Sequence, residues 1–120
     1  MRLLDTNIVL YHLTGALAAP LPPGDYAVSV ITELEALEFP GMSDASERTL
    51  REFLRQIAVV DLTPAVKEHA VKFRKERGLK LPDAIVVGTA VALGAELLAK
   101  DKKLLAQSGV RGSALAIKSS

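Results

Sequence analysis

Cysteine is absent from this 120-residue chain, which excludes disulfides, thiolate zinc sites and thiol nucleophiles. Aromatic residues make up only 4% of the sequence, so no platform for stacking successive bases is visible. A dominant charge is also missing: 15 Lys and Arg stand against 14 Asp and Glu, a net +1, and no global field draws the chain to nucleic acid. Long hydrophobic runs are lacking too. The longest uncharged, mostly apolar stretch, residues 84–95, is interrupted by Gly88, Thr89 and Gly94 and falls short of the ~20 residues a membrane span needs. The opening Met1-Arg2-Leu3-Leu4-Asp5 meets a charge too early for a secretory signal and reads as structure. The expectation is a chain without a membrane span, compatible with a reducing cytoplasm.

What is present is apolar material in short, well-punctuated pieces. The length suits one domain, residues 1–120, with a single core. Hydrophobic content of 49% is high for so small a monomer and hints that another chain covers some of it. Residues 2–4 read as a buried strand and 7–13 as a short helix, followed by a Pro- and Gly-rich loop over 16–25. Residues 26–28 form a second strand, from which Ser29 caps a helix reaching about Phe39. Ser43 or Asp44 caps the next helix, with Glu47 completing an Asp-x-x-Glu box, and Leu50, Phe53, Leu54 and Ile57 mark its inner face.

Residues 58–60 make a third strand; Thr63 and Pro64 then open a helix that Gly78 ends, with Val66, Ala70 and Phe73 inward. Pro82 starts a nearly all-apolar helix closed by Gly94, residues 96–99 form a strand, and Asp101 caps a short helix to about Gln107. The last strand is expected at 114–117. Strands alternating with helices imply right-handed crossovers, hence a small, mostly parallel sheet in a three-layer α/β/α arrangement.

In such sheets ligands sit beyond the carboxyl ends of the strands, and four acids stand there or nearby. Asp5 and Asp101 follow strand ends, while Glu35 and Asp83 lie in early turns of helices that can border the same edge. Carboxylates ~5 Å apart repel by about 3 kcal/mol at an effective dielectric of ~20, so they persist together when protons or a divalent cation neutralise them. Asp5, Asp83 and Asp101 have a plainer role, each favoured at a helix start. Glu35 does not: a mid-helix acid on the shoulder of an inward face needs a partner. Glu33 falls toward solvent by helical spacing, whereas periodicity leaves Glu38 open.

In order and spacing these segments resemble the PIN domain, most closely the small toxins of VapBC toxin-antitoxin pairs. Leu3-Leu4-Asp5-Thr6-Asn7 is similar to the family's opening motif, and Ser29-Val30-Ile31-Thr32-Glu33-Leu34-Glu35 to its Ser-x-x-Thr-x-x-Glu helix start, which selects Glu35. Leu81-Pro82-Asp83-Ala84-Ile85-Val86 resembles the third acidic motif and Leu97-Leu98-Ala99-Lys100-Asp101 the last. One departure stands out: the family commonly has Thr or Ser two residues before the final acid, where this chain has Ala99.

The resemblance implies an endoribonuclease in which Asp5, Glu35, Asp83 and Asp101 bind Mg²⁺ or Mn²⁺, with Thr6 and Asn7 supporting them. It also implies a homodimer and a VapB-type antitoxin partner. Lys72, Arg74, Lys75, Arg77 and Lys80, with Lys100, Lys102 and Lys103, are candidates for holding RNA phosphates, against the plainer reading of a solvated helix face. Two competing readings are a receiver-like module phosphorylated at Asp61, and a PIN fold weakened by Ala99 that only binds. His12 and His69 sit in no metal-ligand spacing.

Overall fold

The computed structural model describes residues 1–119. Five strands, β1 (Arg2–Leu4), β2 (Tyr26–Ser29), β3 (Ala58–Val60), β4 (Glu96–Ala99) and β5 (Gly112–Ala114), line up in the order β3-β2-β1-β4-β5, and every pairing is parallel. Six helices connect them: α1 (Thr6–Thr14), α2 (Val30–Leu37), α3 (Asp44–Arg55), α4 (Pro64–Arg77), α5 (Leu81–Leu93) and α6 (Lys102–Ser108).

Because side chains alternate across a strand, the apolar runs of β1, β2 and β4 feed two cores. Leu3, Ala27 and Leu97, in register on adjacent strands, point to the face covered by α4, α5 and α6. Leu4, Val28 and Leu98 point the other way, against Ile8 and Val9 of α1, Ala36 of α2, and Leu50 and Leu54 of α3. The layers are therefore α/β/α, as the alternation of elements implies. Gly88 fixes how closely α5 lies on α4: a Cβ there would stand 3.0 Å from the Ala70 nitrogen and the Val66 oxygen, so only glycine fits without displacing backbone.

Two local expectations need correction. The last strand is Gly112–Ala114 rather than 114–117, and Ile117 instead makes an isolated antiparallel bridge with Leu17. Gly112 decides this, since a Cβ there would collide with the Leu97 carbonyl; the strand is marked by a missing side chain, not an apolar run. The cap of α3 is Ser43, whose Oγ accepts from the Ser46 amide at 3.1 Å. Glu47 turns outward to pair with Arg51 at 3.2 Å and completes no box with Asp44.

The strand order contains one reversal. From β1 the chain steps outward through β2 to β3, then returns to the other side of β1 to lay down β4 and β5. Beyond the C-terminal end of β1 it enters α1 on one face; beyond β4 it enters α6 on the other. Divergent connections open a crevice between the two strand ends, the place where ligands bind in doubly wound sheets.

Candidate active site

Asp5 stands at that crevice. Its amide donates to the Leu98 carbonyl at 3.0 Å, stitching the first residue after β1 to β4. One carboxyl oxygen caps α1 by accepting from the Thr6 amide at 2.8 Å, so the plain role and the site role coexist. Burial pushes the Asp5 carboxyl up from 3.8 to about 6, opposed by the Thr6 amide bond and reinforced by the negative charges of Asp83, Glu35 and Asp101. All four acids singled out in the sequence thus lie within electrostatic reach of one carboxyl.

Glu35 reaches the crevice from α2, where its Oε1 accepts a hydrogen bond from the Thr6 hydroxyl at 2.7 Å. That bond is the partner a half-buried acid requires, and it ties Thr6 to the site as expected. Glu38 is exposed and Glu33 borders a groove with Arg51 and Arg55, so neither competes. Asp83 sits half-buried in the first turn of α5; burial raises its pKa, Lys80 lowers it, and Asp101 raises it again. Asp101 is exposed and caps α6 through its Oδ1, which accepts from the Lys103 amide at 2.8 Å.

The other expected residues divide between this site and elsewhere. Asn7 is exposed and faces a groove of about 310 Å³ with Leu10, Tyr11, Phe39 and Met42, away from the carboxyls. Of the basic residues, Lys80 adjoins Asp83, Lys102 and Lys103 form the first turn of α6 beside Asp101, and the Lys100 ammonium lies 5.5 Å over the Tyr11 ring. The α4 group does not join them as a set. Lys72 and Arg77 border a separate groove of about 630 Å³ with Arg111 at the ends of α5 and α6, and Arg74 Nη1 donates to the Leu79 carbonyl at 3.4 Å. Thr32 is a residue that sequence reasoning passed over: it is fully buried, and its Oγ1 lies 3.2 Å from that of Thr6. Its place in the Ser-x-x-Thr-x-x-Glu segment was the available signal.

The donor set suits a hard cation. It consists of carboxylate oxygens with hydroxyl support, and among the described residues both ion pairs fall on α3, so no Lys or Arg is salt-bridged to these four acids. Among the described residues no three Asp, Glu or His side chains stand close enough together to ligate one ion. Mg²⁺ does not demand that, because it keeps several waters and takes one or two carboxylates directly. Carboxylate oxygens are the donors such an ion takes.

A PIN domain family model matches residues 2–109. Among solved structures the chain is similar to a toxin-antitoxin complex from Klebsiella pneumoniae, at 30% identity over 88% of this chain and 91% of that one, with a TM-score of 0.75. It shares its fold with VapBC2 from Rickettsia felis bound to a promoter DNA fragment (18% identity, 95% and 98% covered, TM-score 0.77). DNA-bound VapBC from Salmonella typhimurium is alike in fold (19%, 94% and 96%, 0.76). No curated protein matches the chain in sequence. With the strand order, the crevice acids and the family match in agreement, the chain belongs to the PIN domain family.

Proposed function

We propose that the chain, as one domain over residues 1–120, is a Mg²⁺- or Mn²⁺-dependent endoribonuclease and the VapC-type toxin of a toxin-antitoxin pair. The observation that carries this reading is the convergence of four acids on the crevice between β1 and β4, where burial, reinforced by the negative charges of Asp83, Glu35 and Asp101, raises the Asp5 carboxyl to about 6. A cleft that disfavours its own negative charge takes up a divalent cation readily.

Asp5 and Glu35 would hold the ion, and Asp83 and Asp101 would position it and its waters. Such an ion, when bound, lowers the pKa of a coordinated water and screens charge on a phosphodiester. The chain's residues supply the rest. Thr6 fixes the Glu35 carboxyl by its hydroxyl, the Thr6 amide fixes Asp5, and Lys80, Lys102 and Lys103 border the acids where an RNA backbone would lie. No protein nucleophile is needed.

The partners of this reading are RNA and a VapB-type antitoxin in the cytoplasm. No described helix is long and apolar enough to cross a membrane. Val71, Leu81, Val91 and Leu93 remain exposed on α4 and α5, which supports a homodimer. The receiver-like alternative is not favoured: Asp61 is exposed beyond the edge strand β3 and is not among the charges that shift Asp5.

The test is incubation of purified protein with mixed RNA and Mg²⁺ or Mn²⁺, with and without EDTA, alongside Asp5→Asn. Cleavage that needs the metal and disappears in the variant is expected; cleavage surviving both treatments would refute the assignment.

A further inference from the structure

Thr6 Oγ1 has two neighbours, Glu35 Oε1 at 2.7 Å and Thr32 Oγ1 at 3.2 Å, yet a hydroxyl carries only one proton. The shorter contact, to a carboxylate, is the stronger and takes that proton. Thr6 must then accept at its other contact, so the proton between the two threonines belongs to Thr32. Thr32 is 0% exposed, and no described buried polar side-chain atom lacks a partner. A hydroxyl so buried has to donate somewhere, and Thr6 is the side chain it meets.

We infer that Thr32 is a positioning residue for the acidic site, acting through a one-way relay in which Thr32 donates to Thr6 and Thr6 donates to Glu35. This rests on the reading of the site as metal-binding. Two elements contribute: Thr6 opens α1, while Thr32 and Glu35 are three residues apart on α2 and so share one face. The hydroxyl of Thr32, pinned in the core, fixes the rotor of Thr6, and polarisation along the chain strengthens the bond to Glu35. The carboxylate is thereby held in one orientation before any ion arrives. Ala99 leaves the β4 side without a comparable hydroxyl, so on this chain the fixed geometry of the acid set comes from α1 and α2.

The test compares Thr32→Val, Thr32→Ser, Thr6→Val and the double Thr6→Val/Thr32→Val. The first readout is the Mn²⁺ dissociation constant without RNA, from electron paramagnetic resonance of free Mn²⁺; the second is the Thr6 hydroxyl proton resonance in metal-free protein. Thr32→Val is expected to bind Mn²⁺ about 10-fold more weakly, the lower end of the effect of removing an outer hydrogen-bond partner. Thr32→Ser should restore it, and in the Thr6→Val background the Thr32 change should add nothing. Without metal, the Thr6 resonance should shift in Thr32→Val and return in Thr32→Ser.

Unchanged affinity in Thr32→Val, or an equal further loss in the Thr6→Val background, would overturn the relay. Should the valine variant fail to fold, Thr32→Ala, which only removes atoms, takes its place. If the unaltered protein binds no Mn²⁺, the metal-binding reading falls, and the metal-free resonance decides the relay alone: a shift in Thr32→Val supports it, and no shift overturns it.

Discussion

The two sides of the crevice are built differently. On the β1 side, Asp5 and Glu35 are partly buried, and both are hydrogen-bonded to Thr6, with Thr32 behind it. On the β4 side, Asp101 is exposed, Asp83 half-buried, and Lys80, Lys102 and Lys103 stand close by. The first arrangement holds its carboxylates in place, for Asp5 at the expense of its ionisation; the second leaves its acids nearer solvent and mixes them with positive charge. Under the nuclease reading, one side holds the ion and the other admits the polyanion, and a cleft divided in this way avoids pairing its ligands with its own lysines.

The sharpest way to break this contrast is to neutralise one acid on each side. Asp5→Asn keeps a helix-capping side chain and is expected to lower RNA cleavage by more than ~100-fold, whereas Asp101→Asn costs about 10-fold. Equal losses in single-turnover cleavage assays would erase the distinction between the two sides.

Stability should move in the opposite sense to activity. Asp5 ionises near 6 in the folded chain but near 3.8 when unfolded, so the folded state holds the extra proton between those values and loses stability as pH rises through them. Above this window the buried charge costs about 2 kcal/mol, after discounting for residual solvent contact. In metal-free buffer at pH 7.5, Asp5→Asn should therefore raise Tm by on the order of 5 °C, and the gain should vanish below about pH 4. Calorimetry showing no gain at neutral pH would mean that Asp5 is not strained by burial.

Much of this arrangement is legible in the residues. Gly78, Gly94 and Gly109 end their helices in the left-handed conformation, and Ser29, Thr63 and Asp101 cap helices as their positions suggest. Local chemistry of this kind needs no tertiary knowledge. Glu35 could be picked over Glu33 because a helix repeats every 3.6 residues, while its advantage over Glu38 came from motif order. Contacts between distant segments left no local trace. Nothing in a sequence pattern announces that the Thr6 hydroxyl meets Thr32, that β5 follows a glycine pressed on the Leu97 carbonyl, or that Lys72 and Arg77 face a groove separate from Lys102 and Lys103.

That last separation gives a smaller effect. Replacing Lys102 and Lys103 together by Ala should raise KM for RNA about 5-fold and flatten its salt dependence, because ~2 phosphate contacts are lost. The matching change at Lys72 and Lys75 should leave both nearly unaltered. A larger effect from the α4 pair would move the RNA path away from the crevice.

The smallest expected change comes from Ala99, buried beside the exposed acid. Ala99→Ser restores the hydroxyl that the resembling family commonly carries, and cleavage should rise by no more than ~3-fold if Thr6 and Thr32 already fix the geometry. A rise beyond ~10-fold in the same assay would place the limiting disorder on the β4 side.

Asp5 directly follows the first strand, β1, yet its amide closes onto the carbonyl of Leu98 on β4, far away in sequence. During synthesis, β1 meets β2 early but β4 only after five helices have been made, and pairings of such long range form slowly. A chain translated only as far as α4 has no crevice and no complete acid set, so under the nuclease reading cleavage would stay latent on the ribosome until β4 and Asp101 have emerged.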